Sequence, residues 1–372
     1  MHLRDREHKM EPNFQKGVGK MVELSGSFVG VNLRNVFKSL CILLPVLLFC
    51  VAAGAPVQNE APLTPEDSLR MVKEAEQYAG ELETALDGTE GGHQRFMLAA
   101  EKLVSLGKIA TPAFLRLIAS KNLDPWLRKR AIELATVSRD QRAMVPLIEV
   151  ARDTTNPAGV RDKAAYCIGY IGTDKVVDSL LVFIESDDRL LKSAATTGIR
   201  IASNYADVNK AFEPIVRMAN NTADEGLRKN AIAALGYFGD RGVPLLVEFL
   251  EDDNKEIRPV AIGALGYTRS RAVVKPLVEL LSSEDVHTRI GAIMSLQRLG
   301  DTTAVPALIE VLTYEGDDAV FAAMALAKIG DPRALEPLKE HIDKAKAEGR
   351  QPSRYMINAY EEIKKGKALK NR

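Results

Sequence analysis

The sequence predicts an all-α protein built as an α-solenoid, a superhelix of about eight stacked helix pairs. Two observations support this prediction: one segment recurs along the chain, and each copy holds two helical patterns joined by a short turn. The clearest copy is LRKNAIAALGYFGDRGVPLLVEFL at residues 227–250, and related strings begin at Ile257 and Thr288. A repeat of about 30 residues is typical of stacked small units rather than of one closed core.

Each unit is recognised by a residue pair that we call the marker, usually an apolar residue followed by Arg. The markers are Leu127-Arg128, Val160-Arg161, Leu227-Arg228, Ile257-Arg258 and Thr288-Arg289, with Leu191-Lys192 and Asp318-Ala319 as variants. Three residues after each marker comes Ala, at Ala131, Ala164, Ala195, Ala231, Ala261, Ala292 and Ala322. A small side chain at that position lets neighbouring helices approach closely.

Local signals place the ends of the predicted helices. Four residues before the second marker residue stand Asp124, Asp188, Asp224, Asn254 and Asp285, which suit a helix N-cap. The first helix of a unit is expected to stop at Gly239, Gly300 or Gly330, each followed by Asp, because Gly adopts the left-handed conformation of a C-terminal stop. The second helix is expected to open at Pro146, Pro244, Pro276, Pro306 or Pro337.

The N-terminal region has the pattern of an export signal. An apolar run at residues 40–53, LCILLPVLLFCVAA, follows Arg34 and Lys38 and is short for a membrane span. Met21 is an alternative start, and cleavage after Ala53 avoids a proline directly behind the cut. We therefore expect an exported protein, periplasmic or associated with the cell envelope. A lipid on Cys50 and an uncleaved membrane anchor remain alternatives.

The chain divides into five predicted segments. Residues 1–53 are the N-terminal extension and signal peptide, 54–65 a Pro- and Ala-rich linker, and 66–91 a capping helix. Residues 92–343 form the repeats, and 344–372 a C-terminal cap with a basic tail. A terminal cap is needed because the first and last units of a stack would otherwise expose an apolar face.

Composition argues against several classes of function. The chain has 50 Lys and Arg and 50 Asp and Glu, so it lacks the basic character of a nucleic-acid-binding protein. Of the three cysteines, only Cys167 lies outside the N-terminal apolar run, and its setting, AAYCIGY, favours a packed core residue over a reactive thiol. No Cys or His cluster has the spacing of metal ligands.

The markers, the alanines and the Gly-Asp stops resemble the HEAT-repeat family, in particular the short phycobilisome-lyase HEAT-like repeats, over roughly residues 92–343. The resemblance implies a right-handed solenoid, with the first helix of each unit on the concave side and the second on the convex side. It also implies that the marker arginines pair with acidic residues of the turns between helices.

The exposed positions of the first helices form the candidate site. Residues one, five and nine positions after the marker share one face, because helical neighbours recur every three to four residues. This face carries the predicted partner-binding residues Tyr166, Tyr170, Tyr237, Tyr267, Lys229, Met294 and Arg298. Tyrosine favours interfaces, so we expect a groove for a protein or peptide. The alternative is that the rings pack between helices as part of the core.

The sequence predicts no enzymatic activity and no cofactor. Five histidines with no His-Glu dipeptide argue against an iron-binding hydroxylase of the same repeat class, and no Gly-rich phosphate loop or GxSxG motif occurs. The predicted function is an exported scaffold that binds a protein partner, without nucleic acid. One alternative is an accessory lyase-like subunit acting on a tetrapyrrole or other prosthetic group, although export argues against a bilin lyase. Another is a structural envelope component.

Overall fold

The computed structural model describes residues 64–85, 90–314 and 316–370. All of them belong to one compact unit, Thr64–Arg372. The predictions made for residues 1–63, which include the signal peptide, the Cys50 alternative and most of the linker, lie outside the described residues. In the described part of the chain, no helix combines the length and the apolar character needed to cross a membrane.

The described residues form eighteen α-helices and no strand. In chain order they are α1 (Pro65–Thr84), α2 (Glu90–Ser105), α3 (Thr111–Ala119), α4 (Pro125–Val137), α5 (Met144–Arg152), α6 (Ala158–Cys167), α7 (Asp174–Ile184), α8 (Arg189–Ala202), α9 (Phe212–Asn220), α10 (Glu225–Leu235), α11 (Val243–Glu248), α12 (Arg258–Leu265), α13 (Val274–Glu279), α14 (Val286–Leu299), α15 (Val305–Val311), α16 (Asp317–Ile329), α17 (Leu335–Ala347) and α18 (Arg354–Lys370). Helices α2 to α17 make eight pairs. The predicted all-α repeat of helix pairs is confirmed, and its right-handed sense stays a prediction.

The pairs stack in two layers. The even-numbered first helices pack in succession, from α4 on α6 through to α16 on α18, while each odd-numbered second helix packs against the first helix beside it. Helix α1 covers α2 and α3 at one end, and α18 covers α16 and α17 at the other. The apolar core therefore runs as a continuous band between the two layers.

Helix α8 illustrates why the repeat sequence forms these elements. Asp188 caps the helix by accepting hydrogen bonds from the backbone N–H groups of Leu190 and Leu191. Buried residues then recur at Leu191, Ala195, Ile199 and Ala202, so one stripe faces the core. Asp124, Asp224 and Asp285 cap α4, α10 and α14 in the same way.

One predicted cap is wrong. Asn254 accepts from the backbone N–H of Glu256, but α12 begins only at Arg258 and Ile257 is its N-cap residue. A turn that includes Asn254 therefore precedes this helix, and Pro259 stands in its first turn. A proline fits there because the first N–H groups of a helix have no partner within it. The predicted stops at Gly300 and Gly330 are confirmed, since both directly follow α14 and α16 with positive φ angles of 70° and 71°. The predicted stop at Gly239 is wrong: α10 ends at Leu235, and Gly239, with φ of 59°, begins the turn that follows.

The alanines that follow the markers lie at the tightest part of the stack. All seven are fully buried, at 0 % exposure: Ala131, Ala164, Ala195, Ala231, Ala261, Ala292 and Ala322. A larger side chain there would meet the neighbouring first helix, since protein interiors are packed without spare volume. These residues therefore set the spacing between successive units.

The marker arginines join adjacent units through the turns, as the family resemblance implies. Arg161 pairs with Asp188, Arg228 with Asp252 and Arg289 with Asp318, and each Asp belongs to the following unit. Arg128 donates instead to the Asn156 side chain and the Ile118 carbonyl group. The hydrogen-bonding capacity of these guanidinium groups is thus used within the fold.

Asp140 gives the fold a measurable dependence on pH. Burial alone would raise the pKa of Asp140, but hydrogen bonds from the Arg142 side chain, the Arg142 backbone N–H and the Thr111 hydroxyl outweigh it and hold the pKa at about 2. Since the folded pKa lies below the ordinary value of 3.8, the ionised group stabilises the fold above pH 4, and this stabilisation is lost as pH falls towards 2.

Replacing Asp140 by Asn is therefore expected to lower the free energy of unfolding at pH 7 by about 2 kcal/mol. Urea titrations of both proteins between pH 7 and pH 2.5 measure the effect. The difference between their free energies of unfolding should become smaller below pH 4. Asp343→Asn, on the exposed side of α17, is the control and should match the unmodified protein. A gap that stays constant down to pH 2.5 would contradict the assigned role of the carboxylate.

Candidate functional site

The seven site residues predicted from the sequence all reach the surface of the first-helix layer. Tyr267 and Met294 are 40 % and 41 % exposed, Arg298 is exposed, and the other four are half-buried. These side chains are thus partly packed against their neighbours and partly open to solvent. We call the surface made by positions one, five and nine after the markers the first-helix face.

Tyr166 and Tyr170 form the first aromatic cluster of this face. Their rings meet edge to face at a centroid distance of 5.7 Å, and their hydroxyl oxygens are 3.0 Å apart, in hydrogen-bonding contact. The Lys163 ammonium lies 5.0 Å from the Tyr166 ring centroid. A phenol is protonated at neutral pH even at its ordinary pKa, and burial raises the pKa of both phenols further, so both hydroxyls are able to donate. The hydroxyls bond to each other and not to a neighbouring helix.

Tyr237 and Tyr267 form the second cluster, at the ends of α10 and α12. Their rings stack with centroids 5.1 Å apart and planes inclined by 19°. Arg200, from the last turn of α8, covers the outer side of Tyr237 at 5.3 Å, and Arg298, from the last turn of α14, covers Tyr267 at 4.2 Å. Four successive first helices therefore contribute one layer each to an Arg–Tyr–Tyr–Arg stack.

A glycine before each tyrosine makes this stacking possible. A Cβ atom on Gly236 would overlap the Ala264 carbonyl oxygen, and one on Gly266 would lie 2.9 Å from the Cα atom of Ser295. Gly169, before Tyr170, meets the backbone of Gly198 in the same way. Successive first helices therefore touch backbone to backbone just before the tyrosines, which brings the rings of adjacent units into contact.

Three residues of this region were missed by reasoning from the sequence. Arg200 stands eight and not nine positions after its marker, so the spacing rule passed over it. Tyr205 lies in the lengthened turn after α8, where its side chain contacts Gly172, and Arg139 covers its ring at 3.8 Å. The only available signal was the insertion itself, which gives the longest interval between markers, 36 residues.

Lys229 and Met294 lie apart from the aromatic clusters. Lys229 pairs with Glu225 and Glu256, so its ammonium group is engaged by carboxylates. Met294 is exposed, as is Met324 at the same position of the next unit. The structure therefore brings together Tyr166 with Tyr170, and Tyr237 with Tyr267 and Arg298, but not all seven predicted residues.

Covalent and metal chemistry find little support on this face. The Cys167 thiol is buried, and burial raises its pKa well above the ordinary value, so it is a poor nucleophile. Among the described residues no group of three or more His, Cys, Asp or Glu side chains is arranged to hold a metal ion. The arrangement is suited to binding a flat or conjugated group along the edges of the tyrosine rings, beside arginine side chains.

Family models match the repeat region of the chain. The model described as HEAT repeats matches residues 111–200 and 243–322, and that described as PBS lyase HEAT-like repeat matches residues 227–252 and 319–344. The chain belongs to the HEAT-repeat family. The crystal structure of Kap121p resembles this HEAT-repeat protein with a TM-score of 0.51 and 15 % sequence identity, covering 81 % of this chain and 38 % of Kap121p; at that identity the likeness shows the fold alone.

Two curated relatives carry the name phycocyanobilin lyase subunit alpha. The protein from Picosynechococcus sp. is 32 % identical over 142 residues, which are 36 % of this chain and 51 % of the relative. The protein from Synechococcus elongatus is 33 % identical over 136 residues, or 34 % of this chain and 48 % of the relative. The HEAT-repeat protein described here thus spans about half the length of the curated relatives it matches.

These relatives contradict the prediction that the chain is not an enzyme, because both are named as subunits of a lyase. The prediction rested on missing motifs for nucleophiles, metals and phosphates. Such motifs identify enzymes that use those groups, and their absence does not exclude enzymes of other kinds.

Proposed function

We propose that this protein is a lyase-like subunit that handles a tetrapyrrole prosthetic group and works together with a partner chain. The similarity to two phycocyanobilin lyase subunits supports this proposal over the exported scaffold predicted from the sequence. A partner chain is included because both relatives are subunits of a lyase. Export stays a separate prediction, since it concerns residues 1–53.

The observation that links this function to particular residues is the stacked pair Tyr237–Tyr267. Aromatic rings bind flat conjugated molecules through offset or edge contacts, which add about 0.5–1.5 kcal/mol per ring pair to the burial of area. The two rings and the two arginines cover each other's faces, so the partly exposed edges of Tyr237 and Tyr267 provide such a surface. The Tyr166–Tyr170 pair, with hydroxyl groups that stay protonated, adds hydrogen-bonding capacity on the same layer.

On this proposal the chain's residues act by binding and orientation. The tyrosines hold the tetrapyrrole against the first-helix face and shield one side of it from water. The buried Cys167 thiol does not take part, because burial keeps it protonated and inaccessible. Any residue that accepts the prosthetic group covalently is expected to belong to a partner protein.

Titration of purified protein with phycocyanobilin, followed by visible absorbance, tests the proposal. We expect saturable binding, and a loss of about ten-fold or more in affinity for a Tyr237→Ala/Tyr267→Ala double variant. Tyr314→Ala is the matched control, because the exposed fraction of Tyr314, 39 %, is similar to that of Tyr267 and the residue lies outside both clusters. Absence of any spectral change with the unmodified protein would refute the proposed function. Equal loss in the control would refute the assignment to the stacked pair.

A further inference from the structure

Two classes of arginine in the first-helix layer differ in how the fold uses their charge. The marker arginines Arg161, Arg228 and Arg289 are paired with aspartates of the next unit. Arg200 and Arg298 form no ion pair in the described part of the chain, although both side chains are held in place on tyrosine rings. The second class therefore carries positive charge at defined positions that the fold itself does not neutralise.

The hydrogen-bonding state of these two side chains is incomplete as well. The Arg200 Nε atom is buried without a hydrogen-bond partner, and Arg298 makes only one long contact, 3.5 Å from its guanidinium to the Gly263 carbonyl oxygen. A guanidinium group offers five N–H donors in a planar fork that matches a carboxylate. The buried Nε–H of Arg200 is itself out of reach of a ligand, but the terminal N–H groups of both side chains have no carboxylate partner among the described residues, so a ligand that brings a carboxylate to them would be favoured there.

Their location explains how the fold tolerates unpaired charge. Each stands in the last turn of a first helix, where the free backbone carbonyl groups favour cations. Stacking on a tyrosine face adds a further favourable term. These interactions stabilise the cations and fix the side chains, and they leave the edges of the guanidinium groups available for an anion.

We infer that Arg200 and Arg298 bind carboxylate groups of the tetrapyrrole, one on either side of the Tyr237–Tyr267 pair. This inference rests on the proposed function and adds the chemical class of the ligand: a flat conjugated molecule with two acidic side chains. The two ring layers lie between the two arginines, so a ligand must extend along the edges of both tyrosines to contact both guanidinium groups. Fork-shaped guanidinium groups discriminate the free acid from its ester, because only the carboxylate accepts two charge-assisted hydrogen bonds.

The experiment compares phycocyanobilin with its dimethyl ester in the absorbance titration. The protein should bind the free acid about ten-fold or more tightly than the ester. Arg200→Gln and Arg298→Gln should each weaken binding of the acid by about ten-fold and leave binding of the ester unchanged. Arg298→Lys keeps the charge without the planar fork, so its affinity for the free acid should lie between that of the unmodified protein and that of Arg298→Gln.

Arg152→Gln is the matched control. Arg152 also lies over an aromatic ring, that of Phe183, at 5.6 Å, but it belongs to α5 in the second-helix layer. A thermal melt of each variant separates loss of binding from loss of fold, and the exposed Arg298 provides the test if Arg200→Gln unfolds. Equal binding of acid and ester with no effect of the glutamine variants would overturn the inference and leave the proposed function standing. Failure to bind either compound would overturn both.

Discussion

Replacing Ala231 by Glu is expected to lower the free energy of unfolding of the repeats around α10 by about 3–5 kcal/mol. Ala231 is fully buried where α10 packs between α8 and α12. A carboxylate at that position would lose its hydration without gaining a partner, and its side chain would force the first helices apart. Because a repeat protein is held together by interfaces between neighbouring units, the damage should extend into both adjacent units.

Chemical denaturation followed by circular dichroism measures this effect, and hydrogen exchange locates it along the chain. Ala233→Glu is the matched control on the same helix, since Ala233 is half-buried on the first-helix face, and its unfolding should change by less than about 0.5 kcal/mol. A denaturation curve for Ala231→Glu that coincides with that of the control would show that α10 does not pack at this position.

Replacing Gly236 by Ala is expected to destabilise the protein by about 1–3 kcal/mol and to disrupt the Tyr237–Tyr267 stack. The backbone of Gly236 has an ordinary helical conformation, with φ of −60°, so alanine meets no conformational obstacle. The new methyl group would, however, overlap the Ala264 carbonyl oxygen. Helices α10 and α12 must then separate, and the two tyrosine rings separate with them.

Gly263 offers a matched control in the next unit. It lies within α12, and a Cβ atom added there meets nothing within 4 Å. Gly263→Ala should therefore be neutral, or more stable by up to about 1 kcal/mol, because alanine favours the helix. Denaturation gives the stability of each variant, and near-ultraviolet circular dichroism reports the coupled tyrosines. If Gly236→Ala behaves as Gly263→Ala does, close contact between these helices is not what holds the rings together.

The repeat pattern allowed much of the fold to be predicted from the sequence. The repeat contains local signals that recur in most units. They are the buried alanine after each marker, aspartate caps such as Asp188 and glycine stops such as Gly300. Each depends on residues within one helix or one turn, so the sequence records it directly. Asn254 was misjudged because a turn lies between it and α12, which begins only at Arg258, whereas the spacing rule placed the helix start directly after Asn254.

The candidate site could be predicted only in part. The spacing placed Tyr166, Tyr170, Tyr237 and Tyr267 on an exposed layer, because a helical period determines which side chains share a face. It could not show that Tyr237 and Tyr267 stack, since their contact depends on how closely two helices approach at Gly236 and Gly266. Arg200 and Tyr205 were not predicted. Arg200 lies eight rather than nine residues after its marker, and Tyr205 lies in an insertion.

The sequence by itself determined that this chain is a stack of helix pairs and that tyrosines lie along the first-helix layer. Only the tertiary structure decided which arginines form ion pairs within the fold and which do not. Arg228 and Arg298 are the same residue type at the same kind of helix, yet one is fixed by Asp252 across a turn and the other lies over a tyrosine ring with no carboxylate partner. Pairing between units depends on where two turns meet in space, and neither the composition nor the period of the sequence specifies that meeting.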